Sequence, residues 1–371
     1  MTGLADPHNF GRRVVITDDY WFYKPRTVFW ERLFLEGSSP LRRTIDHIFA
    51  ERSIRSPFAA IPSLKFRATC EEGPGVGEVQ GLFPNSLTSD ELLTAEELNL
   101  IGSVVGLLTW LGVTDLHVQN MALGRDAASA LVCCPLDLEC LFHDHQLVSQ
   151  TILIPSSLTT PQTCGLAPLL TMRRLFSGTN AAALVDGFLS TVDTLVASEL
   201  TINQTVFGNL DTVQRPVRLL VRPTADYLNA LHSGHRKGFT KAEREQLDRG
   251  DVPYFFRYPG SDKIMYWSEQ WKACPADLPT DSGKQRRFEL RMITSSGLAP
   301  SPGKGAHLVA KAGALQLARV FDPGADGTWS HGRTTLAYDN NDLIVQLSSA
   351  TAWRAARKQL AGSRISEAPK G

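Results

Sequence analysis

Three polar clusters, each placed where an apolar stretch ends, hold the residue types that phosphoryl transfer requires. Lys24 closes a β-rich segment, Asp115-Leu-His117-Val-Gln-Asn120 follows an apolar helical segment, and Asp137-Leu-Glu139 ends another apolar run. In kinase-type chemistry a strand lysine neutralises nucleotide phosphates and a loop aspartate accepts the hydroxyl proton. An asparagine shortly after that aspartate and a second acid one hairpin later hold Mg²⁺. Asp115 and Asn120 are five residues apart, and Asp137 lies one predicted hairpin downstream. Taken singly, each has a plain structural reading. Lys24 fits a solvated strand end, Asp115 and Asn120 fit turn caps, His117 fits a hydrogen-bonded structural residue, and Asp137 and Glu139 fit a strand edge. Their shared order is what favours chemistry.

A fourth cluster lies at the start, in Asp6-Pro-His8-Asn-Phe-Gly11-Arg12. An Asp and a His two apart beside a phosphate site would supply acid/base chemistry beyond phosphorylation, and a frayed terminus is the competing reading. No Gly-rich phosphate loop precedes Lys24, and Gly303-Lys304-Gly305 lacks the hydroxyl residue that a Walker A lysine needs beside it. Six cysteines (Cys70, Cys133, Cys134, Cys140, Cys164 and Cys274) include no C-x-x-C pair, so reduced and mostly buried thiols are expected in place of structural zinc.

The elements that must position these groups are legible in outline. Segments 12–16 and 20–24 read as a hairpin turned at Thr17-Asp18-Asp19, with Pro25 ending the second strand. Helical spacing follows over 27–35 and 41–51, then a strand at 65–69. Thr94-Ala-Glu-Glu97 is a capping box, Leu98, Ile101, Val105 and Leu108 share one face, and Gly112 supplies the stop, so one helix delivers the chain directly to Asp115. Strands at 120–123 and 130–137 flank a turn expected at Gly124-Arg125-Asp126. Helices are expected over 182–200, after Thr224, and from the second capping box at Thr240-Lys-Ala-Glu243 to Gly250. Residues 275–305 read as a linker or long loop, 307–346 as weakly alternating strand, and 353–358 as a short basic helix before a disordered end.

The chain has 371 residues, 43% of them apolar, with 38 basic and 38 acidic side chains, enough for two or three lobes with real cores. Zero formal charge supplies no global field for nucleic acid or an anionic membrane, and neither partner is expected. The polar N-terminus lacks a secretory pattern, and the uncharged run 146–172 is interrupted by Pro155, Pro161 and Pro168, so the expectation is a cytoplasmic protein that is not integral to a membrane.

Six stretches in order resemble the dehydratase domain of class II lanthipeptide synthetases, the LanM type. They are Asp6 to Arg12, Tyr23-Lys24-Pro25-Arg26, Thr114 to Asn120, Asp137 to Glu139, Arg218-Leu-Leu-Val-Arg222-Pro-Thr224-Ala-Asp-Tyr227 and Gly250-Asp251-Val252-Pro253-Tyr254-Phe255, spread over about residues 5–256. The resemblance implies an α+β, two-lobed, lipid-kinase-like fold. It also implies ATP- and Mg²⁺-dependent phosphorylation of Ser and Thr in a ribosomally made precursor peptide, then phosphate elimination to dehydroalanine or dehydrobutyrine. By similarity, Lys24 contacts ATP phosphates, Asp115, His117 and Asn120 form the phosphorylation loop, and Asp137 and Glu139 take the metal together with Asn120. Asp6, His8, Arg218 and Thr224 would serve elimination. Ala5 replaces the family's usual glycine, and the chain starts five residues before that motif, so an incomplete N-terminal lobe is expected. Zinc-binding cyclase motifs are absent, which makes a separate cyclase, or a protein completing the lobe, the expected partner. The layout expected is a kinase-like dehydratase domain at 1–274, a linker or loop at 275–306 and a C-terminal region of unassigned role at 307–371. Two alternatives stay open: a kinase-like phosphotransferase without elimination, and an inactive peptide-binding remnant.

Overall fold

The computed structural model describes residues 6–17, 20–68, 76–88, 91–143, 145, 147–156, 159–172, 177–207, 215–258, 261, 263–277, 293–294, 297–298, 305–321, 327–339, 342–347 and 353–356. The chain is mixed α+β, with several small antiparallel sheets set around long apolar helices.

Strands β1 (Val15–Ile16) and β2 (Trp21–Thr27) pair as expected, and the centre of their turn, Asp18-Asp19, lies outside the described residues. Pro25 does not end β2. The strand continues to Thr27 because its pairing with β4 shifts register between Lys24 and Thr27, and that irregularity absorbs a residue with no N–H to give. Helices α1 (Phe29–Leu35) and α2 (Pro40–Glu51) follow. Strands β3 (Phe66–Ala68) and β4 (Val76–Gln80) then complete a sheet ordered β1-β2-β4-β3.

A short strand β5 (Asn85–Ser86) precedes α3 (Ala95–Trp110), whose Thr94 capping box forms in full. Every residue from Leu100 to Trp110 in α3 is buried, which makes this a core helix. Strands β6 (Met121–Arg125) and β7 (Leu131–Pro135) form the second hairpin. Its turn falls one step later than the sequence suggests. Gly124 and Arg125 pair within the ladder, and the Asp126 carboxylate builds the turn by accepting from the amides of Ala128 and Ala130 at 2.9 and 2.8 Å.

After α4 (Ala167–Met172), the long helix α5 (Gly178–Ala197) crosses α3 so closely that glycines are required. A Cβ on Gly187 would lie 1.8 Å from the Asn99 carbonyl oxygen, and one on Gly102 would lie 1.9 Å from that of Leu184. The short α6 (Glu199–Ile202) runs into a π-turn at Asn203–Phe207. A further sheet, β8-β9-β10-β11, comprises β8 (Val217–Leu219), β9 (Phe255–Arg257), β10 (Met265–Glu269) and β11 (Lys272–Pro275). Between its first two strands lie α7 (Thr224–Ser233) and α8 (Lys241–Asp248), the latter opened by the expected Thr240 box.

The expected linker contains a two-stranded pair, β12 (Ile293–Thr294) and β13 (Gly297–Leu298), and most of its remainder lies outside the described residues. Beyond it, the expectation of strand over 307–346 is half overturned. Residues Gly305–Val320 form helix α9, because Ala310, Ala314, Leu317, Ala318 and Phe321 repeat at helical spacing and are buried. Strands β14 (Thr328–His331), β15 (Thr334–Asp339) and β16 (Asp342–Leu347) do follow. The expected basic helix is instead β17 (Trp353–Ala356), which completes the ladder against β16. Residues of α9, β15 and β16 share one apolar core with α3 and α5. Among the described residues no single helix is long and apolar enough to cross a membrane. The five described cysteines are free and four are buried; Cys70 lies outside the described residues.

Candidate functional site

The centre grows from four connections that the fold makes between distant segments. Just past the end of helix α3 comes Gly112, where a left-handed φ of 64° and a Cβ position 2.1 Å from the His143 oxygen leave room for glycine alone. The following loop is stitched down on both sides. Thr114 N donates to Cys140 O at 2.9 Å, and Leu116 N donates to Thr151 O at 3.0 Å. Between them Asp115 adopts a left-handed φ of 65°, held by the Asn120 side-chain amide, which donates to the Asp115 carbonyl at 2.8 Å. His117 caps the short turn Val118–Asn120, its Nδ1 accepting from Gln119 N at 3.2 Å. At the end of β7, Leu136 N donates to Asn120 O at 2.8 Å, bringing Asp137 beside the loop.

Against this loop β2 presents two cations. Lys24 Nζ donates to Leu136 O at 2.8 Å and pairs with Glu31 of α1 at 3.1 Å. Arg26 is shared by three carboxylates: Glu31 at 2.6 Å, Asp137 at 2.5 Å and, through Nε, Glu139 at 2.9 Å. From β8, Arg218 pairs with the other oxygen of Glu139 and takes the Glu139 carbonyl with its own amide at 2.8 Å. Tyr254 donates its hydroxyl to Glu139 at 3.2 Å, with the Arg218 guanidinium 5.1 Å from its ring centre.

Electrostatics differentiates these acids. Burial pushes Glu31 upward, but Arg26 and Lys24 outweigh it and leave the carboxyl below its ordinary range. Asp137, also opposed by burial, is drawn down to about 2 by Arg26, Lys24 and Arg218. Asp115 behaves oppositely. Burial raises it to about 7 against the pull of Arg218, with Asp137 and Glu139 adding repulsion. A loop carboxyl poised near neutrality can accept a hydroxyl proton.

His8 reaches the same centre from the N-terminus. Its Nδ1 lies 2.8 Å from Val252 O, an acceptor only, so Nδ1 carries the proton and Nε2 keeps the lone pair. Burial, then the field of Arg218, holds its pKa down at about 3, so the imidazole is a neutral base at physiological pH. Asp6 and Thr224 are half-buried, Thr224 opening α7, and among the described residues no hydrogen bond or ion pair ties either to the charged cluster.

The sequence-predicted residues Lys24, Asp115, His117, Asn120, Asp137, Glu139, His8 and Arg218 are therefore brought together. Missed by sequence reasoning were the roles of Arg26, Glu31, Tyr254 and Asp251. Glu31 carried a faint signal, an acid amid the apolar Trp30, Leu33, Phe34 and Leu35 of a short helix, and it is fully buried.

Asp137, one of whose oxygens is paired with Arg26 at 2.5 Å, and Asn120 could offer oxygen ligands to Mg²⁺, a cation that takes one or two carboxylates and fills its shell with phosphate and water. Both oxygens of Glu139 are engaged by Arg26, Arg218 and Tyr254, so in this arrangement it orients cations. Among the described residues no three His, Cys, Asp or Glu side chains gather into a self-sufficient metal site. No protein-family model matches the chain, and no curated protein matches it.

Proposed function

We propose that the chain is a LanM-like peptide dehydratase on a two-lobed lipid-kinase-like fold, phosphorylating Ser and Thr of a ribosomal precursor peptide with ATP and then eliminating phosphate. The observation that carries this reading is the convergence of Lys24, Asp115, Asn120 and Asp137, from three separate segments, around the Arg26 guanidinium and its carboxylates. Lys24 faces the β/γ-phosphates, while Asp115 takes the proton of the hydroxyl that attacks the γ-phosphorus as the bond to ADP breaks. Asp137 and Asn120 would hold Mg²⁺, which would neutralise phosphate charge when bound. In the second half-reaction the His8 Nε2 lone pair removes the α-proton of the phosphorylated residue. The Cβ–O bond then breaks and Arg218 pairs with the departing phosphate.

A phosphotransferase without elimination is the second reading, favoured by the lack of hydrogen bonds joining Asp6 and Thr224 to the centre among the described residues. Product mass separates the two, because phosphorylation adds about 80 Da and net dehydration removes about 18 Da.

Thermal unfolding with and without Mg²⁺·ATP tests the nucleotide site without knowledge of the peptide. Saturation at a hundred times the dissociation constant stabilises the fold by about 2.7 kcal/mol. A metal-dependent rise in Tm that Asp137→Asn loses is the expected result. No shift in the folded parent would refute the reading in favour of an inactive, peptide-binding remnant.

A further inference from the structure

We propose that Asp251 is a positioning residue that locks the turn carrying His8 and thereby aims the imidazole at the phosphorylated substrate. This rests on the elimination role of His8 proposed above.

Asn9, Phe10 and Gly11 occupy three successive left-handed conformations, with φ of 49°, 70° and 76°. Two of these residues carry a Cβ, so the turn is costly even though reciprocal His8–Arg12 backbone hydrogen bonds at 2.8 and 2.9 Å close it. Successive amides in such a conformation form a concave anion nest. Its occupant is the fully buried carboxylate of Asp251, with Oδ2 accepting from Phe10 N at 2.9 Å and Oδ1 from Gly11 N at 2.7 Å.

Two further clasps connect the same segments. Val252 N donates to Pro7 O, and His8 Nδ1 donates to Val252 O, both at 2.8 Å, so one residue holds the backbone before His8 and the ring itself. Arg249 pairs with Asp251 at 3.3 Å and lies 4.3 Å from the exposed Phe10 ring, covering the turn from outside. Gly250, at φ 83°, reverses the chain between the two. Held in this way, the imidazole meets the Tyr254 ring edge-on at 5.9 Å and feels the charges of Arg218, Arg26 and Asp137. Asp251 touches none of the reacting groups; it acts through the turn.

Asp251→Asn preserves shape but turns one acceptor into a donor facing an amide. With a peptide selected from a Ser/Thr-rich library because the parent converts it, phosphorylation should stay within about twofold while elimination falls about tenfold or more, so the phosphopeptide accumulates. Imidazole ¹⁵N NMR supplies a readout independent of turnover. In the parent, His8 should remain the neutral Nδ1–H tautomer down to acid pH, and in the variant it should mix tautomers and titrate towards the ordinary value of 6.5. If Asp251→Asn fails to fold, Phe10→Ala, which removes only the ring under Arg249, should show the same changes in smaller measure. An unchanged His8 spectrum and an unchanged ratio of phosphorylated to dehydrated product would overturn the proposal. If the parent converts no peptide, the dehydratase reading falls separately, and the His8 spectrum still decides the role of Asp251.

Discussion

The charged centre and the α3–α5 seam both bury most of their groups, and they accommodate burial in opposite ways. Along the seam, Gly102 and Gly187 let two backbones touch, and Ser103 returns its hydroxyl to Asn99 O at 3.0 Å. In the centre, Lys24, Arg26 and Arg218 are balanced against Glu31, Asp137 and Glu139, yet among the described residues Glu31 Oε2 and Arg218 Nε have no hydrogen-bond partner. Close packing costs little and gains dispersion, whereas buried ion pairs spend most of their Coulomb attraction on desolvation. The seam is where stability is made. Under the proposed function, the centre's charge would be balanced further by the phosphates and Mg²⁺ it is proposed to take.

The comparison breaks most visibly at Glu31. Glu31→Ala removes the carboxylate paired with Lys24, leaving it only the Leu136 carbonyl, and leaves Arg26 one carboxylate short, so denaturant unfolding should register a loss of about 3–5 kcal/mol together with loss of the Mg²⁺·ATP-dependent Tm rise. Gly187→Ala should cost somewhat less, about 2–3 kcal/mol by the same titration, because the helices must part to admit a methyl group. Folded Gly187→Ala protein should keep its nucleotide response, and losing it would mean that seam and centre are mechanically coupled.

A smaller effect of opposite sign is expected at Asp115. Its folded pKa, about 7, exceeds the ordinary 3.8, so the native state binds the extra proton and stability declines as pH rises between those values. Asp115→Asn should therefore stabilise the fold at about pH 8 by about 1–2 kcal/mol, have little effect near pH 3, and abolish phosphorylation. In the parent, turnover should climb through about pH 7 as Asp115 deprotonates. Destabilisation by Asp115→Asn at pH 8 would show that the charge is welcome in the fold. The smallest change is at the seam's entrance, where Thr94→Ala removes a cap. It should lower stability by about 1 kcal/mol in calorimetry and leave nucleotide binding untouched.

Local chemistry was readable from the chain, and distant pairing was not. The Thr94 and Thr240 boxes and the Gly112 and Gly250 stops announce their helices because cap and partner lie within one turn. By contrast, Pro25 misleads because only the register shift against β4 shows that its missing amide is tolerated. Alanine-rich α9 passes for weak strand alternation until its buried face is known, and residues 353–356 become strand through pairing with β16. In the site, Lys24, Asp115, Asn120 and Asp137 follow from type and order. The roles of Arg26 and Asp251 depend on partners 111 and 240 or more residues away, which no local pattern encodes.

The attachment of the C-terminal segment has a consequence for the chain as a covalent object. Gln316 hydrogen-bonds Ser149 at 3.0 Å, the Asp186 carboxylate receives Arg333 N and Thr334 Oγ1 at 3.0 and 2.9 Å, and Leu317 and Phe321 fill the shared core. Those contacts join residues 149 and 186 directly to residues 305–334 across the fold. A protein nicked in the intervening stretch should stay whole, its two pieces travelling as one particle, and residues 305–356 supplied as a separate chain should act as a ligand for the remainder.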